Sequence, residues 1–169
     1  MCFLLKKRHY LCNMLILLDI DGVMLSASSW KPVERLDDGF SSFNPRAVSS
    51  LQRIILETGA SIVLTTSHKS TYSLPQWYNI FKKRGIDVSI VGKLDDNTTF
   101  LSRKEEILNW QQKNQGINDY VIIDDDKSLN GLPSNIKDKL VLTSPMVGLT
   151  IDDALSAIET LKKSELVYA

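Results

Sequence analysis

A chain of 169 residues, 43% of them hydrophobic and 24% charged, reads as a single globular domain with enough length to bury a core. Lys plus Arg and Asp plus Glu number 20 each, a formal net charge of zero that gives no whole-chain support for nucleic-acid binding and leaves only a local basic patch open. Two cysteines, Cys2 and Cys12, exclude a disulfide scaffold and point to a reducing, cytoplasmic setting.

Residues 1–18, "MCFLLKKRHYLCNMLILL", place basic residues before an apolar run, as a secretory signal does. The run ends in Asp19 rather than at a small-residue cleavage site, Asn13 interrupts it, and it is too short to span a membrane. The domain is therefore expected to span residues 14–169, with residues 1–13 a functionally silent extension. "LILL" reads as a strand buried on both faces, and it ends abruptly in Asp19, Asp21 and Gly22. Residues 26–43, with Trp30, Pro32 and Asp37-Asp38, read as an irregular stretch whose two aspartates are solvated. A helix follows, with Asn44 to cap it, Pro45 in its first turn, Gly59 after its end, and Val48, Leu51 and Ile55 on one apolar face.

A second strand, Ile62 to Leu64, runs into Thr65, Thr66 and Ser67. A weaker helix is predicted around Gln76 to Arg84, with the basic run Lys82-Lys83-Arg84 on a solvated face, then a turn at Gly85 and a strand in "DVSIVG". Ser102 and Glu105 stand at capping-box spacing and open the next helix. "YVIID" is a further buried strand, ending in Asp124, Asp125 and Asp126, the last read as a turn or N-cap residue. "KLVLTS" adds a strand, and Thr150 to Lys163 a final helix with Ile151, Leu155, Ile158 and Leu161 inward. Strands alternating with helices predict an α/β domain, a doubly wound parallel sheet.

Such sheets bind ligands beyond the carboxyl ends of their strands. That rule gathers Asp19 and Asp21, Thr65 to Ser67, and Asp124 to Asp126 at one pole, where Arg103 and Lys104 also lie, in the first turn of a helix. Carboxylates so placed repel one another unless a cation sits between them, and hard oxygen donors suit Mg²⁺. The set serves phosphoryl transfer: one aspartate as nucleophile, a second as general acid and base, a hydroxyl and a cation on the phosphoryl oxygens. A calcium loop is the rival for D-x-D-G, but Leu17 and Met24 break its alternation of oxygen ligands.

The set resembles the haloacid dehalogenase (HAD) superfamily of aspartate-nucleophile phosphatases, whose first motif is matched by Asp19-Ile20-Asp21-Gly22. The resemblance implies a Rossmann-like fold, with Asp19 as nucleophile and metal ligand and Asp21 as general acid/base and part of the metal site. Its second motif falls on Thr65, with Thr66 as the alternative, and its third on Lys104, with Arg103 competing. Its fourth falls on Asp124 and Asp125, with Asp125 favoured as the metal ligand. Thr66, Ser67 and Arg103 are then substrate contacts, and Mg²⁺ is the cofactor.

"FNPRAVSSLQRI", "ASIVLTTSH" and "VGLTIDDALSAI" are similar to the small HAD domains of RNA-repair proteins. "KEEILNW" and "VIIDDD" are similar to the phosphatase half of polynucleotide kinase-phosphatases. Where related domains carry Trp-Arg or Gly-Arg after the second motif, this chain has Ser67-His68-Lys69, so that His68 or Lys69 takes over that phosphate contact. Residues 23–43 and 68–101 are too short for a large cap, the second being long enough for a lid of one helix and one strand. The implied activity is a phosphatase of nucleic-acid ends with no membrane partner. Two alternatives stand beside it: a phosphatase of a small phosphorylated metabolite, and a HAD fold that binds without turnover.

Overall fold

The computed structural model describes residues 14–27 and 32–167; the expectations placed on residues 1–13 and on Trp30 lie outside the described residues. Five strands, β1 (Leu15–Leu18), β2 (Ser61–Leu64), β3 (Ile90–Lys93), β4 (Tyr120–Asp124) and β5 (Leu140–Leu142), form one parallel sheet in the order β3-β2-β1-β4-β5. The helices are α1 (Pro45–Thr58), α2 (Leu74–Lys83), α3 (Arg103–Lys113), α4 (Ser134–Lys137) and α5 (Ile151–Val167). The cores lie on both sides of the sheet, one with residues of α1, α2 and α5, the other with residues of α3 and α4.

The continuous apolar strands follow from this layering. Ile16, Leu18, Ile62, Leu64, Val121 and Ile123 enter the first core, whereas Leu15, Leu17, Val63, Tyr120 and Ile122 enter the second. Each such aliphatic side chain contributes about 2 kcal/mol on burial. β1, paired with both β2 and β4, is the central strand of the sheet, and Asp19 is the next residue after it.

Four expectations are corrected. β3 pairs with β2 in the main sheet and α2 packs beside it, so residues 68–101 form no lid of a helix and a strand. In α5, Ile151 and Leu155 are 43% and 44% exposed; Ala154, Ala157, Ile158 and Leu161 form the buried face. Ala154 and Ala157 let that face lie close on α1, and Ile151 and Leu155 fall outside it. Asp38 and Arg84 are not solvated. Arg84 is buried beside the Phe40 and Phe43 rings, and its five N–H donors go to both Asp38 carboxylate oxygens and to the carbonyls of Phe40, Ser41 and Ile80.

Candidate active site

The ladder continues one residue past the central strands. Asp19 N–H donates to the Ile123 carbonyl at 3.0 Å and Thr65 N–H to that of Leu18 at 2.9 Å, so Asp19, Thr65 and Asp124 emerge side by side. All three are buried. Oxygens of Asp19, Asp124 and Asp125 lie within 4.8 Å of one another. Gly22 makes that crowding possible. Its φ is +74°, and a Cβ there would lie 2.2 Å from Asp125 Oδ2. Its carbonyl in turn accepts from the buried Thr143 hydroxyl at 2.8 Å, which ties the loop after β1 to the end of β5.

Burial, reinforced by the Asp124 charge and opposed by Arg103, pushes the Asp19 carboxyl up to about 7. Burial likewise raises Asp124 to about 6, again against the pull of Arg103, and raises Asp125. Three carboxyls that ionise with difficulty, crowded in a low-dielectric pole, describe a site short of positive charge.

The positive charge within this cluster is Arg103, at the start of α3, where Ser102 and Glu105 form the expected capping box. Its guanidinium lies 3.5 Å from Asp19 Oδ1 and 3.1 Å from Asp124 Oδ2, and donates to the Thr65 carbonyl. Behind it stands Glu106, one oxygen accepting from Arg103 Nη1 at 3.0 Å and the other from the buried Lys69 ammonium at 2.9 Å. The guanidinium is thus gripped on one side by a buried Lys–Glu pair and presented on the other to the aspartates.

Arg103 Nε and Asp124 Oδ2 are ion-paired at 3.1 Å without a hydrogen bond between them. Those two atoms and Thr65 Oγ1 are buried with no hydrogen-bond partner. Leaving the Thr65 hydroxyl unmet costs about 1–3 kcal/mol. A divalent cation held by Asp19, Asp124 and Asp125, with phosphoryl oxygens against Thr65 and Arg103, would answer these unmet groups. The donor set fits Mg²⁺.

Other candidate residues fall around this centre. Asp21 stands apart from the three clustered carboxylates, 56% exposed, with Oδ2 2.9 Å from His68 Nε2. Thr66 Oγ1 accepts from His68 N–H and caps the 3₁₀ turn Ser67–Ser70. Ser67 is exposed and, with Lys69, Arg103 and Glu106, lines a cavity of about 410 Å³. Lys104 lies beside Gly131 and, among the described residues, makes no ion pair or hydrogen bond. Asp126 caps the 3₁₀ turn Lys127–Gly131. Sequence reasoning did not single out Glu106. Its position three residues after Arg103 was the available signal, whereas its partner Lys69 lies 37 positions away.

Over residues 15–154 the chain matches the family described as the HAD domain in Swiss Army Knife RNA repair proteins. The chain belongs to that family. A comparison with curated proteins finds no match. Membership supports a HAD-type, phosphatase-like function. HAD domains generally use Mg²⁺, and Asp19, Asp124 and Asp125 form the acidic cluster that could hold it. Among the described residues no helix of this HAD domain is long and apolar enough to cross a membrane.

Proposed function

We propose that this HAD domain is a Mg²⁺-dependent phosphomonoester hydrolase acting on phosphorylated nucleic-acid ends. The observation that carries the reading is the buried Asp19 carboxyl, crowded by Asp124 and Asp125 and faced by Arg103. Asp19, Asp124 and Asp125 would hold the cation, which supplies charge to ionise the carboxylates and to draw electron density from the phosphoryl group.

In the first step an Asp19 oxygen attacks phosphorus, the ester P–O bond breaks, and Asp21 gives its proton to the leaving oxygen. In the second, water attacks the same phosphorus and Asp21 takes the water's proton. The bond from phosphorus to Asp19 breaks, freeing phosphate and restoring both carboxyl groups. Arg103 and Thr65 hold the phosphoryl oxygens as charge develops on them.

Two observations support a macromolecular substrate. α2 and β3 belong to the body of the domain, so no lid of those elements covers the strand ends, and the family description names RNA repair. The test is phosphate release from a 3′-phosphorylated oligonucleotide and from p-nitrophenyl phosphate, with and without Mg²⁺, with Asp19→Asn as control. Mg²⁺-dependent release that favours the oligonucleotide and vanishes in Asp19→Asn is the expected result. Activity on the aryl phosphate alone overturns the nucleic-acid substrate. Activity retained in Asp19→Asn overturns the nucleophile.

A further inference from the structure

We propose that His68 is a positioning residue for Asp21, holding the general acid over the leaving group; this deepens the phosphatase reading and rests on it. Asp21 is the one acidic member of the first motif that the fold does not immobilise. It sits beyond the buried cluster, and among the described residues its carboxyl has a single hydrogen-bond partner, His68. A half-exposed carboxyl on a loop otherwise samples several rotamers, and each wrong one removes it from the transferred proton.

His68 is built to stop that. Its backbone N–H is taken by the Thr66 hydroxyl, which fixes the 3₁₀ turn that carries it. Its ring stands edge-on to Phe40, centroids 5.7 Å apart and planes at 87°. Phe40 is itself clamped by edge contacts with Phe43, Tyr72 and Trp77 and by the Arg84 guanidinium over its ring. The aromatic cluster thus sets the plane of the imidazole, and the imidazole sets the carboxyl.

In the tautomer that carries its proton on Nε2, His68 donates to Asp21 Oδ2 across 2.9 Å. With Oδ2 engaged, Oδ1 is the oxygen left to carry and deliver the proton. Position 68 thereby acquires a part in catalysis that needs no contact with phosphate.

The experiment measures the first turnover with enzyme in excess and Mg²⁺ present, on two substrates that differ in their need for a proton. The alkoxide leaving from a 3′-phosphorylated oligonucleotide needs one; p-nitrophenolate does not. His68→Ala is expected to slow oligonucleotide dephosphorylation ~30-fold and p-nitrophenolate release only ~3-fold, with KM little changed, because general acid catalysis is the part affected. His68→Gln, which keeps an N–H donor at similar reach, is expected to restore most of the loss. Adding His68→Ala to Asp21→Asn should cost nothing further, as for two residues acting through one group.

Equal losses on both substrates, or no loss on either, overturn the positioning role while leaving the phosphatase standing. A wild-type chain that turns over neither substrate removes the phosphatase reading and the role with it. Two-bond ¹H–¹⁵N spectra of the imidazoles, read without turnover, test the pairing itself: a His68 ring whose proton is on Nε2 and whose shifts move in Asp21→Asn is expected, and a ring indifferent to that change overturns it.

Discussion

Two arginines of this domain each meet aspartate in a largely buried setting, and they are finished differently. Arg84 spends all five donors on protein acceptors, and its partner Asp38 also accepts from the Phe40 N–H. Arg103 faces two aspartates, yet its Nε, Asp124 Oδ2 and Thr65 Oγ1 lack hydrogen-bond partners. The carboxyls record the contrast. Hydrogen bonds from Arg84 hold Asp38 down at about 2, whereas burial lifts Asp19 to about 7 despite Arg103. A saturated pair stabilises the fold, whereas one left with unmet polar capacity is set for something that arrives from outside. Saturation, rather than burial or charge, separates the structural site from the candidate functional one.

The largest expected effect comes from exchanging each aspartate for its amide. Asp19→Asn should lower phosphate release by about 10³-fold or more, as removal of a nucleophile does, while the fold is kept. Its melting temperature should rise at neutral pH, because a carboxyl that burial holds unfavourably is replaced by a neutral group. Asp38→Asn should do the reverse, sparing activity and lowering stability by about 1–3 kcal/mol, the scale of losing hydrogen bonds to a charged group. Phosphate release assays and denaturant melts of the two variants check this. A stable, active Asp38→Asn would remove the structural half of the contrast.

The arginines come next. Arg84→Ala leaves Asp38 facing the aromatic cluster without its partner and should cost about 3 kcal/mol of stability. Arg103→Ala should cut turnover about 10²-fold, the scale of losing one preorganised donor to developing charge. Guanidinium-chloride melts paired with single-turnover assays separate the two. Equal activity losses would mean that both arginines act through folding alone.

Proton linkage gives a third, smaller effect with opposite signs at the two sites. Asp19 and Asp124 bind protons more tightly folded than unfolded between about pH 4 and about 7. Stability of the metal-free chain should therefore fall as pH rises through that window. Asp38 is depressed, so its contribution is present above about pH 4 and is lost as pH falls toward about 2. Thermal melts in EDTA should show stability declining from about pH 5 to 7, with a shallower decline in Asp19→Asn. Mg²⁺ should flatten the slope, because a cation among the carboxylates offsets their repulsion. A slope indifferent to both Asp19→Asn and Mg²⁺ would mean that the cluster holds neither.

Much of this pole was legible in the chain. A buried strand stops at a polar residue with no gradation, so Leu18-Asp19, Leu64-Thr65 and Ile123-Asp124 announce their positions. The parallel order then brings them together. What stayed hidden was phase and distance. The capping box at Ser102 marks where α3 starts but not its rotation about its axis, and a step of one residue swings a side chain by about 100°. Hence Arg103 against Lys104 could not be decided from spacing. Thr65 against Thr66 poses the same difficulty at a strand end, where neighbours point to opposite sides; one hydroxyl is buried without a partner and the other caps a turn. The pairs Asp38–Arg84 and Asp21–His68 are 46 and 47 positions apart, and no local pattern reports them.

Lys104 is the smallest and most discriminating test of that rotation. Its ammonium lies beside Gly131, where it shares no ion pair with the described residues. A cation in such a position is worth at most about 1 kcal/mol to anything it faces. Lys104→Ala should therefore change single-turnover phosphate release by no more than ~5-fold, the equivalent of that limit. Arg103→Lys should lose much more, since one ammonium cannot span Asp19, Asp124, Glu106 and the Thr65 carbonyl as the guanidinium fork does. If Lys104→Ala instead matched Arg103→Ala, α3 would have to turn on binding substrate, and the two arginines would no longer differ in how they are finished.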